Sequence, residues 1–193
     1  GEEYHDLLGI VDSLKMIDGK FAFNNLEIGD PLLTSMDDYE AVSAALASQF
    51  DKTTDENRTV YENPRDPDEI GVVLMGHGTV HFSNSAYSQM AKILERLYVT
   101  VFMGTVEGYP TYEDVLEQAK ESGVTKLRLM PFMIVAGDHA TNDLAGDEDD
   151  SWKSMFESEG FETDAYLKGM GNNDEIVGIY VEHTKAALDE FEE

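Results

Sequence analysis

Cysteine is absent from the 193 residues. Disulfides, thiolate-held zinc, iron–sulfur ligation and a cysteine nucleophile are therefore excluded, and any bound ion must be held by histidine and carboxylate. Positive charge is scarce: 13 Lys and Arg stand against 40 Asp and Glu, a net charge of −27. Phosphate recognition needs clustered cations, so nucleic acid and anionic membranes are excluded as partners. Long apolar runs are missing too. The longest, Leu127 to Ala136, is broken by Arg128 and Pro131 and falls far short of the ~20 residues that span a bilayer. The start, Gly1-Glu2-Glu3-Tyr4, lacks the basic and apolar regions of a signal peptide. This points to the cytoplasm, with the periplasm left open because no initiating Met is present. Against these absences stand 41 % hydrophobic and 10 % aromatic residues, enough for a folded core of ordinary domain size.

The hydrophobic spacing predicts alternating helices and strands. Glu2 to Leu14 reads as a helix, Lys20 to Ile28 as a strand, and Asp37 to Phe50 as a helix. The polar segment Asp51 to Glu69 reads as an exposed acidic linker loop. Beyond it come a strand at Ile70 to Met75, a helix marked by Tyr87, Met90, Leu94 and Leu97, and a strand at Tyr98 to Met103. A helix from Thr111 to Ser122 stops at Gly123. A strand at Lys126 to Val135, a helix at Asp149 to Glu159, a strand at Phe161 to Leu167 and a helix at Asp174 to Phe191 complete the chain. The strands lack a two-residue alternation, as expected where helices cover both faces of a parallel sheet. The expected fold is an α/β three-layer α/β/α sandwich with a mostly parallel sheet. Residues 1–69 read as the remainder of an N-terminal α/β half, and residues 70–193 as a C-terminal half. Because a doubly wound sheet ordinarily starts on a strand, earlier βα units are expected to be missing from the front, as a segment or as a separate chain.

Three strand ends carry the chemistry: Met75-Gly76-His77-Gly78-Thr79, Gly104-Thr105-Val106-Glu107-Gly108-Tyr109-Pro110, and Ala136-Gly137-Asp138-His139-Ala140. Carboxyl ends of parallel strands line one crevice, so His77, Glu107 and His139 are expected to converge. Two imidazoles and a carboxylate suit a divalent ion such as cobalt, iron, nickel or zinc. Taken singly, a strand-end histidine is more often a structural residue, and Glu-Gly-Tyr-Pro could be a turn.

His77-Gly78-Thr79, Val106-Glu107-Gly108-Tyr109-Pro110 and above all the run Leu129 to Ala140 resemble the anaerobic cobalt chelatases. Asn142-Asp143, Asp147 to Lys153 and Gly169-Met170-Gly171 continue the likeness, which covers nearly the whole chain. The resemblance implies a chelatase-like fold, two similar α/β halves facing a cleft, and insertion of Co2+ into sirohydrochlorin on the route to cobalamin. It implies His77, Glu107 and His139 as metal ligands, with His77 and Glu107 catalytic and His77 the base that takes pyrrole protons. Glu107 is also a candidate to orient His139. No organic cofactor is implied; the partners are sirohydrochlorin and the divalent ion, with Fe2+, Ni2+ or Zn2+ as other ions and a homo-oligomer left open. The rival readings are a sirohydrochlorin ferrochelatase for sirohaem, a non-catalytic metal- or tetrapyrrole-binding protein, and a metal-free α/β enzyme using His77 as base.

A polycarboxylate substrate and a strongly negative protein repel each other. Local donors must compensate, and helix N-termini, Ser83 and Asn84 are the candidates. Of the remaining histidines, His81 reads as a residue beside the ligands or on the surface, His183 as packed on the last helix, and His5 as surface. The acidic run Asp147 to Asp150 reads as a solvated loop before a helix. Met130 and Met133 read as core, and Trp152 as either core or substrate contact.

Overall fold

The computed structural model describes residues 2–23, 25–49, 70–98 and 100–189. The expected linker Asp51 to Glu69, and with it the division between residues 69 and 70, lies outside the described residues. Helices α1 (Glu2–Lys15) and α2 (Met36–Ala47) come first. There follow β1 (Ile70–Gly76), α3 (Ser85–Leu97), β2 (Val101–Thr105), α4 (Tyr112–Ser122) and β3 (Lys126–Pro131). A π-helical turn at His139–Leu144, α5 (Trp152–Ser158), β4 (Glu162–Ala165) and α6 (Asp174–Asp189) complete the order.

The strands form one parallel sheet in the order β2-β1-β3-β4. Each parallel link needs a crossover, and the helices that make them cover both faces. The strand β1 therefore buries both sets of alternating side chains. Val72 and Leu74 join Met90 and Leu94 of α3, Val42 and Leu46 of α2 and Ile176 of α6 in one core layer. Val73 and Met75 join Val115 and Ala119 of α4 and Trp152 and Phe156 of α5 in the other. This is the expected three-layer sandwich. Trp152 is core: it meets Tyr112 and Phe156 edge-on.

Local chemistry sets the helix ends. Thr111 and Asp114 form a capping box at the start of α4, and Gly123 ends it at φ +78°. Ser151 caps α5 by accepting from the Ser154 N–H, so this helix starts after the acidic run. Asp147 to Asp150 stay exposed in the preceding loop.

Three expectations on the strands are corrected. Among the described residues of Lys20 to Ile28 there is no strand; a short 3-10 turn spans Gly19–Phe21, and Phe21 and Phe23 face outward. No strand among the described residues pairs with them, and apolar residues without a partner do not make a sheet. The second strand starts at Val101 because Tyr98 still caps α3, its N–H bonding the Leu94 carbonyl. The third stops at Pro131, which has no N–H of its own to give, and only the Phe132 N–H carries the pairing with β1 one bond further. The segment after it turns away and bonds the loop after β4, with Met170 N–H on the Met133 carbonyl (2.7 Å) and Gly171 N–H on the Ile134 carbonyl (2.9 Å).

Candidate metal-binding site

The central strand β1 lies between β2 and β3. Its first residue beyond the ladder is His77, flanked by the Glu107 loop on one side and the His139 turn on the other. The ladder continues past the strand ends. Val106 N–H bonds the Gly76 carbonyl (3.0 Å), Glu107 N–H bonds the His77 carbonyl (2.8 Å), and Phe132 N–H bonds the Met75 carbonyl (2.7 Å). His77 and Glu107 are thus backbone neighbours.

Glycine is required where the first two loops touch. Gly78 has φ +79°, and a Cβ there would lie 2.6 Å from the Gly108 nitrogen. A Cβ on Gly108 would collide with Asn84 Oδ1. Asn84 ties the loops: its Oδ1 accepts from Thr79 N–H (3.1 Å) and its Nδ2 donates to the Tyr109 carbonyl (2.7 Å). Its Oδ1 and one of its two Nδ2 hydrogens are therefore committed to the loops. Ser83 is engaged likewise, with both its N–H and its hydroxyl on His81 Nδ1.

The rings of His77 and His139 meet edge to face, centroids 4.6 Å apart. His77 Nδ1 lies 2.9 Å from the Gly78 carbonyl, which can only accept, so Nδ1 carries the proton. His139 Nδ1 is hydrogen-bonded to the Asp143 carboxylate in the same sense. In both neutral rings the Nε2 lone pair is consequently free to bind a cation. The two histidines converge as expected; the orienting role considered for Glu107 belongs instead to Asp143. The π-helical turn brings Asp143 under the ring of His139 four residues earlier. That spacing was visible in the sequence, but only a helical turn at this point gives it meaning.

Glu107 is exposed on the same cavity as His77. Among the described residues, no three His, Asp or Glu side chains already stand close enough to share an ion. The structure thus pairs the two imidazoles and leaves the Glu107 carboxylate on the cavity that His77 borders, without closing a three-ligand cage.

The cavity has a volume of about 680 Å3 and is bordered by His77, Thr79, Ser83 and Glu107 on one side and Phe132, Met133 and Ile134 on another. Its surroundings are apolar and open: Val80 is 98 %, Phe82 76 % and Val135 73 % exposed. No Lys or Arg borders it among the described residues. Met130 is buried in the core, and Met133 packs against the second core layer and also borders the cavity. His183 lies away from this site, bonded to Asp38 and the Asp30 carbonyl. No helix among the described residues is long and apolar enough to cross a membrane.

Residues 1–189 match the family described as cobalt chelatase (CbiK). A sirohydrochlorin cobaltochelatase of Salmonella typhimurium is 34 % identical over 188 residues, which are 97 % of this chain and 64 % of that protein. One of Nitratidesulfovibrio vulgaris is 35 % identical over 188 residues, 97 % of this chain and 61 % of that protein. A third, of Methanosarcina acetivorans, is 25 % identical over 128 residues, 63 % of this chain and 98 % of that protein. The chain spans less than two thirds of the length of the first two.

Proposed function

Because the chain belongs to the cobalt chelatase (CbiK) family, we propose that it acts in a sirohydrochlorin cobaltochelatase, a metal-inserting lyase of cobalamin biosynthesis. The observation that carries the reading is the facing pair His77 and His139, each with Nδ1 tied and Nε2 free, beside a cavity with an apolar rim. Co2+ is the second substrate, and no organic cofactor takes part.

In this reading His77, His139 and Glu107 take up the ion, Glu107 swinging in from its exposed position to complete the set. Three protein ligands leave positions open for ring nitrogens, whereas a closed four-ligand site would hold the ion too firmly. As two pyrrole N–H bonds break, their electron pairs pass to cobalt and two protons must leave. Transfer of the ion to the ring releases the imidazole of His77, whose Nε2 then accepts one proton; the Glu107 carboxylate accepts the other. The same set also binds Fe2+, Ni2+ and Zn2+, so the ligands do not fix the metal.

The test follows the visible spectrum of sirohydrochlorin with Co2+ and a catalytic amount of the chain, beside His77→Ala and His139→Ala. Many turnovers that vanish in both variants are expected. Stoichiometric binding without turnover would make the chain a carrier, and faster turnover with Fe2+ would move it to sirohaem synthesis. Turnover that survives removal of the metal ligands would overturn the site.

A further inference from the structure

If sirohydrochlorin is the substrate, its many carboxylates must be met by a protein of net charge −27, and no Lys or Arg borders the cavity among the described residues. Among the described residues, a donor of another kind has to be sought next to it. His81 lies in the loop whose neighbours Thr79, Val80 and Ser83 line that cavity. Its hydrogen bonding is the reverse of that of the two metal-facing histidines. The Ser83 backbone N–H, which can only donate, points into His81 Nδ1 at 3.2 Å, and the Ser83 hydroxyl stands 3.0 Å from the same atom. Nδ1 is therefore an acceptor, and in the neutral ring the proton sits on Nε2. His77 and His139 present a lone pair, suited to a cation. His81 presents an N–H, suited to an anion.

Its surroundings fit that task. The ring is held against Phe82, centroids 4.0 Å apart, and meets the ring of His5 on α1 at 5.1 Å. Glu3, two residues before His5 on α1, borders the cavity, so the two imidazoles stand next to its lining without being part of it. The exposed Val80 and Phe82 on either side of His81 supply apolar surface for a macrocycle whose carboxylate reaches the ring.

We propose that His81, with His5 beside it, is a recognition site for a peripheral carboxylate of the tetrapyrrole, its Nε2–H fixed as the donor by the Ser83 N–H. The inference rests on sirohydrochlorin as substrate. It assigns histidines of one loop region to opposite tasks, with His77 holding the metal and His81 the pigment.

The test measures binding of metal-free sirohydrochlorin, and of its carboxyl-esterified form, to the chain and to two variants. In His81→Asn the side-chain oxygen still accepts from the Ser83 N–H, so the loop keeps its cap, but the distal N–H is gone. His81→Gln restores a donor near the lost position. The expected result is about tenfold weaker binding of the acid form by His81→Asn, the scale of one hydrogen bond to a charged group, with recovery in His81→Gln. The ester should bind the wild-type chain and His81→Asn alike, and Co2+ alone should bind both equally. Unchanged binding of the acid form by a folded His81→Asn overturns the assignment. Equal losses for acid and ester, or a loss confined to Co2+, overturn it in favour of a loop or metal role. A wild-type chain that does not bind sirohydrochlorin at all removes the functional reading, and this inference with it.

Discussion

At the scale of single residues, His139 gains from Asp143 what an isolated imidazole lacks. The carboxylate fixes which nitrogen carries the proton and holds the ring's orientation. Replacing Asp143 by Ala is expected to weaken Co2+ binding by about 10- to 100-fold, as loss of such an orienting partner does elsewhere. Both side chains are partly exposed, so the thermal midpoint should stay close to wild type; calorimetric titration with Co2+ beside a melting curve separates the two effects. The ligand candidates were legible in the sequence as types at strand ends, because a parallel sheet forces those ends together. The orienting carboxylate was not. Between Gly137 and the acidic run nothing announces a helical turn, so the four-residue spacing of His139 and Asp143 had no reason to count. The tie made by Asn84 was hidden too: its Oδ1 and one Nδ2 hydrogen join its own loop to that of Tyr109, 25 residues away in sequence.

At the scale of elements, the four strands of residues 70 onward and the helices between them could be read because their apolar runs and their Gly or capping stops coincide. Gly123 and Thr111 bound α4 as the sequence indicates. The reading fails where a strand depends on a distant partner: Lys20 to Ile28 has apolar residues but no strand to pair with among the described residues. It also overran at Pro131 and at Tyr98, where one missing donor and one helix cap decide the boundary. The joint between the β1 and β2 loops yields a sharp prediction. At Gly78, Ala would face a positive φ and a contact of 2.6 Å with the Gly108 nitrogen. Gly78→Ala should cost about 2 kcal/mol or more, read from the urea midpoint, and should weaken metal binding because His77 moves with it.

At the scale of the whole molecule, α6 closes the fold by a long-range contact that no spacing in the sequence reveals. His183 Nε2 lies 3.0 Å from Asp38 Oδ1 at the start of α2, and its Nδ1 lies 2.9 Å from the Asp30 carbonyl. The sequence placed His183 among packed residues; it is in fact a clamp. Partial desolvation opposes its charge, but the Asp30 carbonyl and the Asp38 carboxylate outweigh this and raise His183 above its ordinary 6.5. Burial likewise works against the Asp38 carboxylate, yet the Thr34 N–H and His183 hold it below its ordinary 3.8. The raised histidine stabilises the fold fully below pH 6.5 and loses that contribution as pH rises through its folded-state value. The lowered aspartate stabilises above 3.8 and loses its contribution as pH falls through its own. The clamp is therefore strongest between these limits. His183→Gln should lower Tm by ~2–4 °C near the middle of that window, the shift of ~1 kcal/mol in a chain of this size, and by less in alkaline buffer. Melting curves of both proteins across pH check this.

The backbone ladder running beyond the strand ends ties the site to the core in a further sense. The amides of Val106 and Glu107 are bonded to carbonyls of Gly76 and His77, so although Glu107 itself faces water, its peptide hydrogen is expected to exchange with the centre of the sheet. The loops that carry His77 and Glu107 are then expected to form one cooperative unit with the sheet, unfolding with the core and not ahead of it.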